Sequence, residues 1–286
     1  YEVTVVHPDL FGVKVPLQPS TGIWMPLSHV PKVYDEVKNA GHIHIATEGP
    51  VGLACRVWCD RKGLTYNTAY HTKFPEGIKK LIGIPEFITW SYVRWFHKHS
   101  GKVLTTTETM VNDLRDHGFD GTVIPWTRGV DREIFNPQRR VETVSKYLVC
   151  VSRVSKEKNL EDFLTLDYPG ARKIMVGDGP MREKYQEQYP DVEFVGFKRG
   201  EELAKYYQMA DVFVFPSRWE TFGIVMIEAM SCGTPVAAYP ADGPLDVVDQ
   251  GITGYMDENL ATAVHRCMGL NRYSVAEASK RWSWES

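Results

Sequence analysis

The stretch from Asp211 to Tyr239 restricts the fold more than any other part of this chain. Val212 to Phe215 is an unbroken apolar run, the pattern of a strand covered on both faces, and Pro216 to Phe222 reads as a loop. Gly223 to Ser231 then reads as a helix, Gly233 as a break and Thr234 to Ala238 as a second strand, together a compact βαβ unit. Ligands of open parallel sheets sit beyond the carboxyl ends of the strands, where the next helix offers free N–H groups and the positive end of its dipole. The loop Ser217 to Gly223 occupies that place. Glu220 lies in the loop and Glu228 in the second turn of the helix. The dipole alone stabilises acids at helix starts by about 0.3–1 kcal/mol. That account is weaker for Glu228, because Val225, Met226, Ile227, Ala229 and Met230 make its helix apolar nearly all round, so the carboxylate needs a partner or a ligand.

The pair Glu220-x7-Glu228, set in Pro-Ser-x-x-Glu-Thr-Phe-Gly-Ile-Val and followed by Glu-Ala-Met-Ser-Cys-Gly-Thr-Pro-Val, resembles the donor-site signature of the family-4 retaining glycosyltransferases of the GT-B fold. The resemblance implies an α/β protein of two Rossmann-like domains facing across a cleft. Residues 1–143 would form the acceptor side and residues 144–286 the donor-binding side, joined through the polar stretch Pro137 to Ser145. Family members begin with an earlier strand, a glycine-rich loop and a helix, and end in a helix that crosses back to the first domain. These elements are expected to fall outside a sequence that opens on Tyr1 and closes just after Arg281-Trp282-Ser283-Trp284, as a piece of a longer protein or as a short variant.

A chain of 286 residues is long enough to bury two cores. Hydrophobic and charged contents of 43% and 24% are those of a soluble globular protein, and a net charge of −3 gives no reason to expect nucleic acid as a partner. The five cysteines form no C-x-x-C pair and read as reduced packing residues in a cytosolic protein. His42-x-His44 and His97-x-His99 lack a third ligand and read as packing or surface histidines rather than a metal site. No apolar run reaches the length of a membrane span and no signal peptide is visible.

In chain order, Glu2 to Val6 reads as a buried strand, Gly12 to His29 as an irregular proline-bearing stretch, Pro31 to Ala40 as a helix and His42 to Thr47 as a strand. Helix Val51 to Arg61, ended by Gly63, leads to strand Leu64 to Ala69. Next comes Tyr70-His71-Thr72-Lys73-Phe74-Pro75, similar to the family's Tyr-His-Thr-x-Phe-Pro signature, which implies that His71 faces the donor sugar. Residues 73–102 interleave aromatic and aliphatic side chains with Lys73, Lys79, Lys80, Arg94, Lys98 and Lys102. Over Phe87 to His99 this suits a core helix with a solvated basic face; the competing reading is peripheral contact with an anionic membrane. Val103 to Thr105 reads as a strand, Thr107 as the N-cap of a helix running to His117, and Gly121 to Pro125 as the last strand of this half. Trp126-Thr127-Arg128-Gly129-Val130-Asp131 resembles the interdomain signature of the mannosyl- and sulfoquinovosyl-transferring branches, which implies a donor contact for Arg128.

Strand Lys146 to Val151 runs into a loop that holds Arg153 and Lys158. A planar fork and a point charge beside a helix N-terminus suit a diphosphate, although either residue alone would read as part of a solvated basic loop. The resemblance adds Gly177 and Gly179 of a Gly-x-Gly-Pro turn, Phe197 and Lys198 near the base, and Asp242-Gly243-Pro244, similar to a variant in the lipid-glycosylating branch. It implies transfer of a mannose- or glucose-type hexose, with retention, from a GDP- or UDP-sugar to a hydroxyl of a lipid or glycan acceptor. Arg153 and Lys158 would stabilise the leaving diphosphate with no metal or cofactor. Glu228 would hold the ribose, Glu220 and the N–H groups of Phe222, Gly223 and Ile224 the donor sugar, and His71 its primary hydroxyl or the reaction centre. The implied setting is the cytoplasm, at the inner face of the cell membrane. A catalytically impaired nucleotide-sugar-binding protein of the same fold is the alternative, and a phosphorylase or epimerase the competing activity.

Overall fold

A computed structural model describes residues 2–10, 14–18, 23–26, 35, 37–137 and 144–284. The chain divides into two compact units, Tyr1–Thr127 and Arg128–Ser286.

In the first unit, β1 (Lys14–Gln18) and β2 (Ile23–Pro26) pair antiparallel, with a register shift between Pro16 and Gln18. The stretch expected to be irregular is thus partly a ladder, and its proline sits beside the break because it has no N–H to give. Strands β3 (His44–Ile45), β4 (Asn67–Tyr70), β5 (Val103–Thr105) and β6 (Val123–Pro125) form a parallel sheet in that order. Helix α1 (Pro50–Lys62) connects β3 to β4, α2 (Phe74–Ile82) and α3 (Glu86–His97) connect β4 to β5, and α4 (Glu108–Asp116) connects β5 to β6.

Local chemistry sets the ends of these helices. Pro50 takes the first turn of α1, where its missing N–H has no intrahelical partner to lose, and Gly63 closes the helix at φ 64°. Thr107 Oγ1 accepts from Met110 N at 3.3 Å, as expected of an N-cap. The last carbonyls of α3 are satisfied from α1, where Arg56 Nε and Nη2 donate at 3.0 Å to Phe96 O and Trp95 O. His97 is a packing histidine, buried between Thr68 Oγ1 at 2.7 Å and Glu48 Oε1 at 3.3 Å, whereas His99 is exposed beside Asp60. Helix α3 buries Trp90, Val93 and Phe96 but leaves Phe87, Ile88 and Trp95 exposed, so its outer face is apolar as well as basic.

Residues Glu2 to Val6 are not a buried strand: they have no regular structure, and Val3 and Val5 are 78% and 66% exposed. Among the described residues β3 pairs only with β4, so the alternating valines have no ladder to join. Half of the helix expected over Pro31 to Ala40 lies outside the described residues.

The second unit is a six-stranded parallel sheet of β7 (Lys146–Val151), β8 (Ala171–Val176), β9 (Val192–Gly196), β10 (Val212–Phe215), β11 (Val236–Ala238) and β12 (Gly254–Met256), ordered β12-β11-β10-β7-β8-β9. Its helices are α5 (Glu161–Leu164), α6 (Arg182–Gln188), α7 (Gly200–Met209), α8 (Ile224–Ser231), α9 (Asp242–Val247), α10 (Leu260–Cys267) and α11 (Arg272–Ala278). Both faces are covered, which is why the strands are continuous apolar runs. Val149, Val151, Phe213 and Phe215 join one core with Tyr207 of α7 and Met226, Ile227 and Met230 of α8. Leu148, Cys150, Val212 and Val214 point into the other with Phe163, Tyr185 and Val264. All five cysteines are buried and free.

Val130 and Phe135 belong to the first of these cores, and Val130 N donates to Trp282 O at 2.8 Å. The compact units therefore part at Thr127/Arg128, ahead of the polar stretch Pro137 to Ser145.

Arg272 ties the helices to the sheet, donating to the carbonyls of Ala210, Gln208 and Cys232 and to Thr234 Oγ1. Arg272→Ala leaves several of these acceptors unsatisfied and should cost about 3 kcal/mol or more of stability, read by urea unfolding. Arg272→Lys, lacking the fork, should recover less than half of the loss.

Candidate active site

The order of the second sheet reverses at one place: β8 and β9 continue to one side of β7, while β10, β11 and β12 continue to the other. At such a switch point the two following loops diverge and leave a crevice at the carboxyl edge of the sheet. The loop after β7 carries Arg153 and Lys158, and the loop after β10 carries Glu220. Lys158 Nζ donates to Glu220 Oε2 at 2.9 Å, with the two side chains 26% and 24% exposed. Glu220 is fixed by its backbone as well: its Oε1 accepts from Thr221 N at 3.2 Å and its carbonyl from Gly243 N at 3.0 Å. Arg153 is half-buried, and among the described residues its guanidinium has neither an ion-pair nor a hydrogen-bond partner.

The turn after β8 packs directly on the loop after β7. A Cβ on Gly177, at φ 140°, would lie 1.9 Å from Ser152 O, and one on Gly179 would lie 2.5 Å from Val154 O. The closeness lets the backbone ladder run on past the strands, with Ser152 N donating to Val176 O and Val154 N to Asp178 O, each at 3.0 Å. Gly177 N reaches across to Gly196 O at 2.9 Å. The glycines are thus required by close backbone approach, and the loops after β7, β8 and β9 form one continuous rim.

Gly223, at φ 78°, precedes α8 and brings the free N–H groups of the helix start beside Glu220; a Cβ there would meet Glu220 Cγ at 3.4 Å and Met226 Cε at 2.7 Å. One turn on, Glu228 Oε2 accepts from the hydroxyl of Tyr207 at 2.8 Å. Burial pushes the Glu228 carboxyl up to about 7, against the lowering effect of the Tyr207 bond. Burial, with Glu228 beside it, also raises Tyr207 well above its ordinary value, so the phenol remains the donor of the pair. The carboxylate on the apolar helix therefore has a partner, and keeps one oxygen outside that bond.

Residues 2–134 match the family model described as Glycosyltransferase Family 4, and residues 131–264 the one described as Glycosyl transferases group 1. A GDP-mannose-dependent alpha-mannosyltransferase of Corynebacterium glutamicum is 29% identical over 96% of this chain and 71% of its own. A GDP-mannose-dependent alpha-(1-6)-phosphatidylinositol monomannoside mannosyltransferase of Mycolicibacterium smegmatis is 35% identical over 55% of this chain, which spans 50% of that relative. In fold, the chain matches sucrose-phosphate synthase from Thermosynechococcus elongatus with a TM-score of 0.72 at 23% identity, over 89% of this chain and 72% of that one. The chain belongs to the family-4 glycosyltransferases and has their GT-B fold.

The two family models of this glycosyltransferase meet at residues 131–134, close to the division between its compact units. The second unit brings together Arg153, Lys158, Gly177, Gly179, Glu220, Gly223 and Glu228 around the switch point. Phe222 is buried there, edge-on to Trp282 at 5.4 Å between ring centroids, and Ile224 opens α8. Phe197 follows β9 and is 69% exposed, while Lys198 Nζ lies 3.8 Å from Glu202. Arg128 opens the second unit. His71 belongs to the first unit, half-buried at the carboxyl end of β4, its ring 6.4 Å from that of Trp126. Tyr207 and Trp282 escape a reading of the sequence, because each meets the site from a separate element and leaves no mark in the motif it supports.

Because the folded value of Glu228 lies above the ordinary 4.5, its contribution to stability is intact below that pH and is lost as pH rises through about 7. Replacing the acid by its amide removes this penalty. Glu228→Gln should therefore raise the thermal midpoint of the ligand-free glycosyltransferase at pH 8, corresponding to about 3 kcal/mol at most, with the gain gone at pH 4. Equal midpoints at pH 8 would contradict a strained carboxylate.

Proposed function

We propose that this glycosyltransferase moves a hexose from a nucleoside-diphosphate sugar, GDP-mannose before UDP-glucose, to a hydroxyl of a lipid or lipid-linked glycan, with retention of configuration. The observation that carries this reading is the convergence at the switch point: the paired Lys158 and Glu220, Arg153, unpaired among the described residues, and the Glu228 carboxyl bonded to Tyr207. Two cations and the amino end of α8 suit the charge that grows on a departing diphosphate, so no metal is required for that step. Glu228 accepts from the ribose hydroxyls, Glu220 from hydroxyls of the hexose, and His71 acts on the sugar from the first unit. No carboxylate serves as a covalent nucleophile.

The preference for GDP-mannose draws on the two GDP-mannose-dependent relatives. A lipid acceptor is in keeping with the phosphatidylinositol monomannoside named for one of them. Phe87, Ile88 and Trp95, exposed on α3 near Lys79 and Lys98, suit contact with an anionic bilayer from the cytoplasmic side. Among the described residues no helix is long and apolar enough to cross a membrane.

Hydroxyl donors stabilise the charged form of Glu228, so nucleotide binding near pH 7 should release a fraction of a proton. Calorimetric titration with GDP and UDP in buffers of different ionisation heat reads both affinity and proton release. Glu228→Ala should weaken GDP binding about a hundredfold and abolish the release while leaving the protein folded. Failure of the wild type to bind either nucleotide, or normal binding by Glu228→Ala, would sink this assignment. Tight binding with no turnover of any donor would instead favour a nucleotide-sugar-binding protein, and turnover that depends on inorganic phosphate a phosphorylase.

A further inference from the structure

We propose that Asn159 is a positioning residue for the donor site: it fastens the loop that bears Glu220 to the loop that bears Lys158. This rests on the donor-site reading given above and adds to it a residue that touches no substrate. Asn159 is the only non-glycine among the described residues with a positive φ, 54°, and it directly follows Lys158. An L-residue in the left-handed region is disfavoured unless its surroundings hold it there, and asparagine is among the types that tolerate it best. What holds it is visible. Asn159 Nδ2 donates to the carbonyl of Pro216 at 3.3 Å, at the start of the β10 loop, and to Asp162 Oδ2. Asp162 Oδ2 also accepts from the hydroxyl of Tyr239 at 2.6 Å, and the Arg218 guanidinium lies 3.6 Å from the centre of the Tyr239 ring while pairing with Glu258. The segment from Pro216 to Arg218 is therefore gripped at both ends by a chain of contacts that starts at Asn159. The Lys158–Glu220 contact spans the same two loops; Thr221 N and Gly243 N hold Glu220 within its own wall, whereas the Asn159 bond to Pro216 ties that wall to the Lys158 loop.

Glycine at position 159 keeps the backbone free to adopt a positive φ and removes the side-chain ties, so it separates the two roles of the residue. Hydrogen exchange by mass spectrometry on the ligand-free chain reads the loop, and calorimetry with GDP reads the site. In Asn159→Gly, exchange at the Trp219 and Thr221 amides, which are bonded to Ser217 Oγ and Glu220 Oε1, should quicken about tenfold while the β7 and β8 amides are unchanged. GDP affinity should fall about tenfold, with a thermal midpoint close to that of the wild type. Asn159→Ala should show the same loss of affinity together with a lower midpoint, because alanine also meets the left-handed penalty. Unchanged exchange in that loop for Asn159→Gly, or faster exchange with undiminished GDP affinity, would overturn the proposal. If the wild type binds neither GDP nor UDP, it is the donor-site reading that fails, and the exchange measurement still decides whether Asn159 holds the loop.

Discussion

Between the backbone of Gly177 and Gly179 and that of Ser152 and Val154 there is no room for a methyl group. The second unit is built outward from that contact. It lets the ladder between β7 and β8 continue beyond the regular strands, so the segment that carries Arg153 is in effect an extension of the sheet. Met181 N closes the arrangement by donating to Val154 O at 3.0 Å, just ahead of α6. A site supported in this way inherits the rigidity of a sheet whose strands are buried on both faces, and its charged groups need little reorganisation before a ligand arrives. The opposite wall, after β10, has no such ladder among the described residues and is held by side-chain ties and by the N–H of Gly243.

The parts of the fold that could be read in the sequence are those where one local signal decides. The run Val212 to Phe215 admits only a doubly covered strand, Lys146 to Val151 likewise, and Gly63 and Thr107 end and start helices by chemistry that is confined to a few neighbours. Glu2 to Val6 misleads because alternation shows that a segment can be a strand, while pairing depends on a partner elsewhere. The paired strands β1 and β2 stay hidden for the converse reason, since Pro16 breaks the pattern and the register shift that accommodates it arises only in the pair. The compact units part ahead of the polar segment, because Val130 and Phe135 commit the chain to the second core before that segment begins.

The site divides along the same line. Glu220, Glu228, Arg153, Lys158 and the two glycines stand in or beside motifs whose spacing reflects one strand end each, and these are visible in one dimension. Tyr207 reaches Glu228 from α7, and Trp282 reaches Phe222 from the far end of the unit. Their roles exist only once the sheet is assembled. Gly243 is intermediate: its motif is visible, yet its function is to leave space and an N–H for the Glu220 carbonyl, which no spacing rule announces.

The two carboxylates at the switch point are held in different ways. Glu220 neutralises Lys158, and the pair is partly hydrated, so breaking it costs far less than the several kcal/mol that a dry ion pair would demand. Among the described residues no cation pairs with Glu228; burial, against the lowering effect of the Tyr207 bond, pushes it up to about 7. A diphosphate approaching Lys158 would replace one oxygen partner of the ammonium by another, and thereby free Glu220 to accept from hydroxyls. Arg153, whose guanidinium has no partner among the described residues, would on the proposed function supply the net attraction for the anion. On the proposed function Lys158 and Glu220 would act as an exchange pair, since a phosphate that takes Lys158 leaves Glu220 free for a hydroxyl.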